Sequence, residues 1–316
     1  MRINVIFSYY PIIYDWAVAT CYCLRKLGIE SDVFCPHIGE QTRDLTDGWR
    51  GNSPDCPCYI YPEADYYIII NEAEFSLKNI PSCAKTIVWS TEPIDFDHKD
   101  YEIKDKTLQL LRLRHQADFL IVHNEMIYEE LRNHYVPVDA IMGIGYDEIL
   151  THYKDEPKNI DIYFEGGVNE RRKNILQQFK VPITQVGAYM EQYHKNMAQA
   201  KIALNLHSYD CLTSFELERI ITAVAEGALV ISEEIVNSFP YINGEHVILC
   251  SSSEVVGACD YYLKNFEEAQ AICEQALNHI RKNYRMEDLL YNFIVKNIDV
   301  NFKKKIKDAL VPQVIL

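Results

Sequence analysis

Two stretches of this chain concentrate side chains that can hold an anion. The first is Phe164-Glu165-Gly166-Gly167-Val168-Asn169-Glu170-Arg171-Arg172-Lys173. A strand-like run ends there in two glycines, and a helical pattern then opens with three basic residues. Glycines let a ligand approach backbone N–H groups, helix N-termini favour negative charge, and arginine offers forked donors that fit phosphate oxygens. Basic residues in a first helical turn oppose the helix macrodipole, a conflict that a bound anion relieves. Gly166, Gly167, Arg171 and Arg172 are therefore candidates for phosphate binding; the plainer alternative is a turn followed by a solvated basic face.

The second stretch is Asn205-Leu206-His207-Ser208-Tyr209-Asp210 followed by Thr213-Ser214-Phe215-Glu216-Leu217-Glu218-Arg219. A strand gives way to a polar loop and then to a helix striped by Leu217, Ile220, Ile221 and Val224. Asn205, His207, Thr213, Ser214, Glu216, Glu218 and Arg219 are candidates for ligand contact. Several also have structural readings. Thr213-x-x-Glu216 has the form of a capping box, with Thr213 as N-cap and Glu216 at the third helical position. Arg219 can pair with Glu216 three residues earlier, and His207 also reads as an ordinary loop histidine. Gly227 is placed to close the helix. Glu92, in Trp89-Ser90-Thr91-Glu92-Pro93, and His123, after Phe119–Val122, stand at strand ends where a catalytic base is useful. As single residues both also read as hydrogen-bonded structural groups. Tyr9 and Tyr10, just after the first strand, are candidates to line an acceptor site.

Positioning these residues requires an alternation of strands and helices. Apolar β-rich runs occur at Arg2–Phe7, Ser31–Cys35, Tyr66–Asn71, Thr86–Trp89, Asp118–His123 and Ala140–Ile144. Helical spacing fills the intervals at Trp16–Leu27, Lys106–His115 and Glu125–Asn133. After the polar, proline-containing segment Thr151–Asn159 the alternation restarts, with strands at Ile160–Phe164, Ile183–Val186, Ile202–Leu206, Ala228–Ile231 and His246–Leu249. Helices are expected at Glu170–Phe179, Met190–Gln199, Phe215–Glu226, Val255–Lys264 and Glu267–Lys282, with further helix over Met286–Leu310. Near-continuous apolar strands separated by helices imply parallel sheets covered on both faces. The reading is α/β: two doubly wound Rossmann-like domains facing across a cleft, residues 1–152 and 153–300, followed by a C-terminal helix over residues 301–316. In such sheets ligands bind outside the carboxyl ends of the strands, where both anion-holding stretches fall.

Composition excludes several classes. With 31 basic and 46 acidic residues among 316, the formal charge of −15 argues against a nucleic-acid groove and against attachment to anionic lipid by charge alone. Lys303, Lys304, Lys305 and Lys307 form the one dense basic cluster late in the chain. No apolar run reaches the roughly 18–20 residues that span a bilayer, and the first ten residues lack the pattern of a signal peptide, so a cytoplasmic location is expected. The ten cysteines, including the lone pair Cys56-Pro57-Cys58, lack the repeated spacing of a zinc site. No Gly-x-Gly-x-x-Gly follows the first strand, which argues against a dehydrogenase.

Asn205-Leu206-His207, Ser214-x-Glu216-x-Glu218-Arg219 and Ala225-Glu226-Gly227-Ala228-Leu229-Val230-Ile231-Ser232-Glu233 together resemble the donor-binding half of GT-B glycosyltransferases, CgeB-like proteins and their family 1/4 relatives in particular. Ile160–Gly166 with Arg171-Arg172, Trp89–Pro93 and Gly143-Ile144-Gly145-Tyr146-Asp147 are similar to further segments of that family. The resemblance implies transfer of a sugar from a nucleotide diphosphate donor, held by the C-terminal half, to a glycan, protein or small-molecule acceptor, with no cofactor. It also implies that the C-terminal helix, residues 301–316, returns to the first domain; an inverting reaction would need a base near the acceptor hydroxyl, for which the strand-end residues Glu92 and His123 are the candidates. Many retaining relatives carry two acidic residues eight apart, the second five before a glycine. Here Thr222 stands five before Gly227, and the acidic pair at the right separation is Asp210 with Glu218, so Glu218 is assigned to the ribose while the anomeric outcome stays open. A nucleotide-sugar epimerase of the same fold and a non-catalytic nucleotide-sugar-binding module are the alternatives. Asp95-Phe96-Asp97 has the form of a metal-holding triplet of GT-A enzymes, but two balanced α/β halves do not suit that fold, and no metal site is expected.

Overall fold

The structure is a computed structural model that describes residues 1–7, 11–34, 61–70, 77, 80–92, 94–96, 101–185, 191–208, 216–300 and 302. Among these the chain forms two parallel sheets. The first contains β1 (Ile3–Phe7), β2 (Val33–Phe34), β3 (Tyr66–Ile70), β4 (Lys85–Ser90), β5 (Phe119–Val122) and β6 (Ala140–Ile141), in the order β2-β1-β3-β4-β5-β6. The second contains β7 (Ile160–Phe164), β8 (Ile183–Thr184), β9 (Ala200–Asn205), β10 (Leu229–Glu233) and β11 (Ile248–Cys250), in the order β11-β10-β9-β7-β8. Every strand pairing within the two sheets is parallel. The cause is visible in the strands themselves: Ile68, Ile69 and Ile70, or Leu120, Ile121 and Val122, are all buried, so both sheet faces must be covered.

The chain divides into two compact units. The N-terminal unit joins the described residues up to Gly145 with those from Arg285 onward. Its helices are α1 (Pro11–Lys26), α2 (Tyr101–Gln116) and α3 (Glu125–Asn133), with one later contribution, α9 (Met286–Phe293), which runs on into a π-helical turn at Ile294–Ile298. Trp16 of α1 meets Trp89 of β4 edge-on at 4.6 Å, and the Trp89 Nε1–H donates to the Met142 carbonyl at 2.7 Å. Leu110, Leu120, Ile127 and Leu131 close the core on the side of α2 and α3.

The C-terminal unit, Tyr146–Tyr284, carries α4 (Glu170–Leu176), α5 (Glu191–Gln199), α6 (Leu217–Ala225), α7 (Val255–Lys264) and α8 (Phe266–Asn283). Its core packs Phe164, Ile202, Leu204 and Ile231 of the sheet against Val255, Cys259 and Ile272 of α7 and α8. On the other face α6 buries Ile220, Ile221 and Val224, as its apolar stripe requires. Gly227, with φ of 73°, ends α6 in a Schellman arrangement: its N–H donates to the Val224 carbonyl and that of Ala228 to the Ala223 carbonyl.

Both unit boundaries differ from the sequence reading, which divides the chain at residues 152 and 300. The compact units part after Gly145 and after Tyr284. The polar segment read as a linker is anchored in the C-terminal unit: the backbone N–H groups of His152 and Tyr153 donate to the buried Glu226 carboxylate at 3.1 and 2.8 Å. The return to the N-terminal unit begins at Arg285, because α9 buries Met286, Leu290 and Phe293 and packs on α1. Of the expected terminal helix only Phe302, buried, is among the described residues.

Gly145 fixes the point at which α9 can start. A Cβ there would meet the backbone nitrogen of Met286 at 2.5 Å and its Cα at 2.6 Å, atoms that cannot swing away as a side chain would. Gly145→Ala is therefore expected to destabilise the N-terminal unit by about 1–3 kcal/mol, the usual range for overpacking. Denaturant unfolding would check this, and an unchanged midpoint would mean that α9 shifts freely.

Candidate functional site

The second sheet has its topological switch between β7 and β9, because the chain leaves β7 toward β8 on one side and returns as β9 on the other. Crevices at the carboxyl ends of parallel strands open at such switches. The segment after β7 is Glu165-Gly166-Gly167, and that closing β9 is Asn205-Leu206-His207. Glu233 ends the neighbouring strand β10. The two anion-holding stretches of the sequence thus meet at one sheet edge.

The basic residues of α4 build the wall of this site and do not stand open to it. Asn169 caps α4 through its Oδ1, which accepts from the Arg172 N–H at 2.9 Å, while its Nδ2 donates to the Ser208 carbonyl at 2.6 Å. Arg171 donates to the His207 carbonyl at 3.0 Å and forms a forked pair with Glu233 at 2.8 and 2.7 Å. Arg172 is buried: Nε and Nη2 reach the Leu206 carbonyl at 3.0 and 2.6 Å, and Nη1 reaches the Gly167 carbonyl at 2.7 Å. Its guanidinium lies over the Phe164 ring, and burial with the neighbouring Arg219 charge pushes its pKa down to about 10. Three successive carbonyls, 206 to 208, are thereby stitched to α4. The macrodipole conflict read from the sequence is relieved by these carbonyls and by Glu233. Gly166, at φ of 142°, is where the loop turns under the Arg172 guanidinium, 3.1 Å from where a Cβ would stand.

Opposite this wall lies a buried polar cluster. Asn205 donates from Nδ2 to Glu216 Oε2 and to Ser232 Oγ, both at 3.0 Å, and its Oδ1 accepts from Arg219 Nη1 at 2.6 Å. His207 is 3% exposed; its Nδ1 lies 3.4 Å from Glu216 Oε1, and its backbone N–H donates to Glu233 Oε2 at 2.8 Å. Glu216 is therefore no capping-box residue. It precedes α6, which starts at Leu217, it makes no side-chain cap, and its carboxylate turns to Asn205 and His207. The cause is that Asn205 and His207 offer a buried carboxylate stronger partners than a helix terminus does. Arg219, likewise, bonds to Asn205 where pairing with Glu216 was one sequence reading. Among the described residues the buried Arg219 Nε has no hydrogen-bond partner, and the His207 ring also lies against the Glu234 carbonyl.

Burial disfavours both charges of the His207–Glu216 pair, and their mutual attraction overrides it. For His207 burial lowers the pKa, but the Glu216 hydrogen bond and the charges of Glu216 and Glu233 leave it raised above 6.5. For Glu216 burial raises the pKa, but His207, Arg219 and Asn205 leave it well below 4.5. The stabilisation from Glu216 is complete above its ordinary 4.5 and is lost as the pH falls through its lowered native value. That from His207 is complete below its ordinary 6.5 and is lost as the pH rises through its raised native value. The loss of Tm caused by Glu216→Gln should thus be greatest between 4.5 and 6.5 and should shrink toward alkaline pH. Melting curves across pH would check this; a loss independent of pH above neutrality would mean that the pair carries no charge.

The remaining candidates lie elsewhere or are occupied. Thr213, Ser214, Tyr209, Asp210, Tyr9 and Tyr10 fall outside the described residues. Glu218 is half-buried in the first turn of α6, and Thr222 turns its hydroxyl back to the Glu218 carbonyl at 2.9 Å, within the helix. In the N-terminal unit Glu92 pairs with Lys106 at 2.6 Å. His123 has both ring nitrogens engaged, Nδ1 with the Ser90 carbonyl at 3.3 Å and Nε2 with Asn124 Nδ2 at 2.9 Å. Asn124 Oδ1 accepts from the Ile127 N–H, so its Nδ2 is the donor and His123 Nε2 the acceptor. Neither residue is poised as a free base. Sequence reasoning missed Glu165, which accepts the Tyr163 hydroxyl and whose pKa burial raises, and it did not assign Glu233. Both stand at strand ends, the one signal that could have found them.

Two parallel α/β units, with a charged site at the sheet switch of the second, define the GT-B fold. Solved structures bear this out at low sequence identity. WaaG, a glycosyltransferase involved in lipopolysaccharide biosynthesis, matches with a TM-score of 0.58 at 10% identity over 94% of this chain and 100% of its own. HepE of Anabaena, solved with UDP-glucose, matches with a TM-score of 0.54 at 12% identity over 97% of this chain and 99% of its own. TarM gives 0.54 at 14% identity, over 72% of this chain and 54% of its own. Residues 171–294 match the family model described as glycosyl transferase-like. Protein R358 of Acanthamoeba polyphaga mimivirus is 27% identical over 130 residues, 39% of this chain and 46% of that protein. The chain thus spans about half the length of that viral relative and of TarM. The chain carries a glycosyl transferase-like domain, and its fold is that of GT-B glycosyltransferases.

Proposed function

We propose that this protein is a glycosyltransferase that moves a sugar from a nucleotide diphosphate donor, bound at the switch of the second sheet, to a hydroxyl of a glycan, protein or small-molecule acceptor. The observation that carries this reading is the gathering of Asn205, His207, Glu216 and Arg219 at that edge, where the buried Arg219 Nε has no hydrogen-bond partner among the described residues. Breaking the anomeric C–O bond leaves the electron pair on the diphosphate, and the acceptor oxygen takes its place on the sugar and gives up its proton. Preorganised donors aimed at the departing oxygen lower that barrier without a metal ion. Gly166, Gly167, Glu218 and Glu165 border the same edge and would meet the sugar and ribose hydroxyls. HepE and TarM have been solved with UDP-glucose and with UDP, so uridine diphosphate sugars are the first donors to test.

Among the described residues no helix is long and apolar enough to cross a membrane. The test is release of nucleoside diphosphate from uridine, guanosine and thymidine diphosphate sugars, with and without mixed acceptors. Release that depends on an acceptor supports transfer. Conversion of the donor sugar without an acceptor would make the protein an epimerase, and tight binding with no turnover would make it a binding module.

A further inference from the structure

One carboxylate in the C-terminal unit holds two histidines side by side. Glu226 is fully buried at the C-cap of α6, just before β10 and so at the amino-terminal end of the second sheet. Its Oε1 accepts from His194 Nδ1 of α5 at 2.9 Å and from the backbone N–H of His152 at 3.1 Å. The adjacent Tyr153 N–H donates to Oε2 at 2.8 Å, which fixes the segment that carries His152. The two imidazole rings meet edge to face, with centroids 4.4 Å apart, and their ligating nitrogens lie within 4.8 Å of one another. His194 is buried, while His152 is exposed to solvent. A carboxylate only accepts, so the proton of a neutral His194 sits on Nδ1 and its lone pair on Nε2.

We propose that His152 and His194 bind a divalent cation of the zinc type, with Glu226 as the outer carboxylate that orients them. Imidazole nitrogen suits zinc, copper and nickel. Metal-binding histidines commonly donate their other N–H to a carboxylate, which fixes the tautomer and strengthens the ligand. At Zn–N distances of about 2.0–2.1 Å, two nitrogens on a tetrahedral ion stand about 3.4 Å apart. A turn of the exposed His152 ring supplies that approach, and water fills the remaining positions. Lys158 is a neighbouring cation: its Nζ donates to the Glu226 backbone carbonyl at 3.2 Å, and burial lowers its pKa to about 8, so a second positive charge meets an ammonium that is readily neutralised. The ion joins residue 152 to α5 and acts as a clasp on the segment leading into β7. This place is opposite the donor edge, which lies at the carboxyl ends of the same strands. The role of the ion is therefore structural, and the glycosyltransferase reading does not depend on it.

The experiment adds zinc(II) alone to the metal-stripped full chain at about pH 7.5, where histidine ligands are neutral. Saturating zinc should raise the Tm by a few degrees, as a ligand bound only by the native state does. His152→Ala alters an exposed side chain and keeps the backbone N–H that Glu226 accepts. It should weaken zinc binding, read by calorimetry, by about tenfold or more and abolish the Tm shift. His115→Ala, at an exposed histidine of α2, should change neither. Glu226→Gln should bind zinc roughly tenfold to a hundredfold less tightly, the usual cost of losing such a carboxylate; should that variant fail to fold, His152→Ala decides. Copper(II) in place of zinc reads the ligands directly: electron paramagnetic resonance should show two imidazole nitrogens in the wild type and one in His152→Ala. A Tm that zinc leaves unchanged, fewer than two imidazole nitrogens on copper in the wild type, or undiminished zinc affinity in folded His152→Ala or Glu226→Gln would each overturn the site. Donor turnover is measured separately, so failure here leaves the proposed function untouched.

Discussion

Replacing Glu226 with alanine is expected to lower the unfolding free energy of the C-terminal unit by about 2–5 kcal/mol, the range for truncating a large buried side chain and leaving its hydrogen-bond partners unmatched. Glu226 is 0% exposed and sits at the C-cap of α6. Its Oε1 accepts from the His152 N–H at 3.1 Å and His194 Nδ1 at 2.9 Å, and its Oε2 accepts from the Tyr153 N–H at 2.8 Å. Truncation removes the acceptor of three hydrogen bonds, the His194 one buried and the two backbone ones part-buried, and leaves a void. Glu226→Gln keeps the volume but turns an amide N–H₂ toward donors, so it should recover only part of the loss. Chemical denaturation followed by fluorescence would measure both. A loss below about 1 kcal/mol for alanine would mean that water replaces the carboxylate and that residues 152–153 are not anchored through it.

Arg219→Gln should weaken nucleoside diphosphate binding by roughly a hundredfold, the upper end for a charge-assisted contact to phosphate, while shifting Tm by only a few degrees. The asymmetry follows from its partners. Among the described residues Arg219 makes one side-chain hydrogen bond, Nη1 to Asn205 Oδ1 at 2.6 Å, and a glutamine amide can supply a replacement donor. Its Nε has no hydrogen-bond partner among the described residues, so what the variant chiefly loses is charge and donors available to a ligand. Calorimetric titration with UDP, beside a melting curve, separates the two effects. Equal affinity in variant and wild type would assign Arg219 to the support of Asn205 and Glu216 alone.

Much of this architecture is legible in one dimension because it depends on period and on local punctuation. Glu125–Asn133, Ile160–Phe164 and Val255–Lys264 begin and end where the sequence pattern places them. Asn124, Asn169 and Gly227 mark helix ends through chemistry contained within a few residues. Where the reading slipped, the deciding partner was distant. Thr213-x-x-Glu216 has every local feature of a capping box, yet Glu216 is drawn away by Asn205 and His207, eleven and nine residues earlier. The segment Thr151–Asn159 looks like a linker because its partner, Glu226, lies more than seventy residues on.

By itself, then, the sequence determined the parallel α/β class, the two halves and the strand ends at which charged residues gather, since alternating apolar runs and glycine turns are local properties of the chain. Only the tertiary structure decided which of those charges face one another. Arg171 and Arg172 look like ligand cations until Glu233 and the carbonyls of Leu206, His207 and Gly167 come within reach, and His207 looks ordinary until the Glu216 and Glu233 carboxylates raise its pKa against the opposing effect of burial. The physical reason is that a side chain's charge and free donors depend on which groups share its desolvated surroundings, and those groups come from strands and loops far apart in sequence.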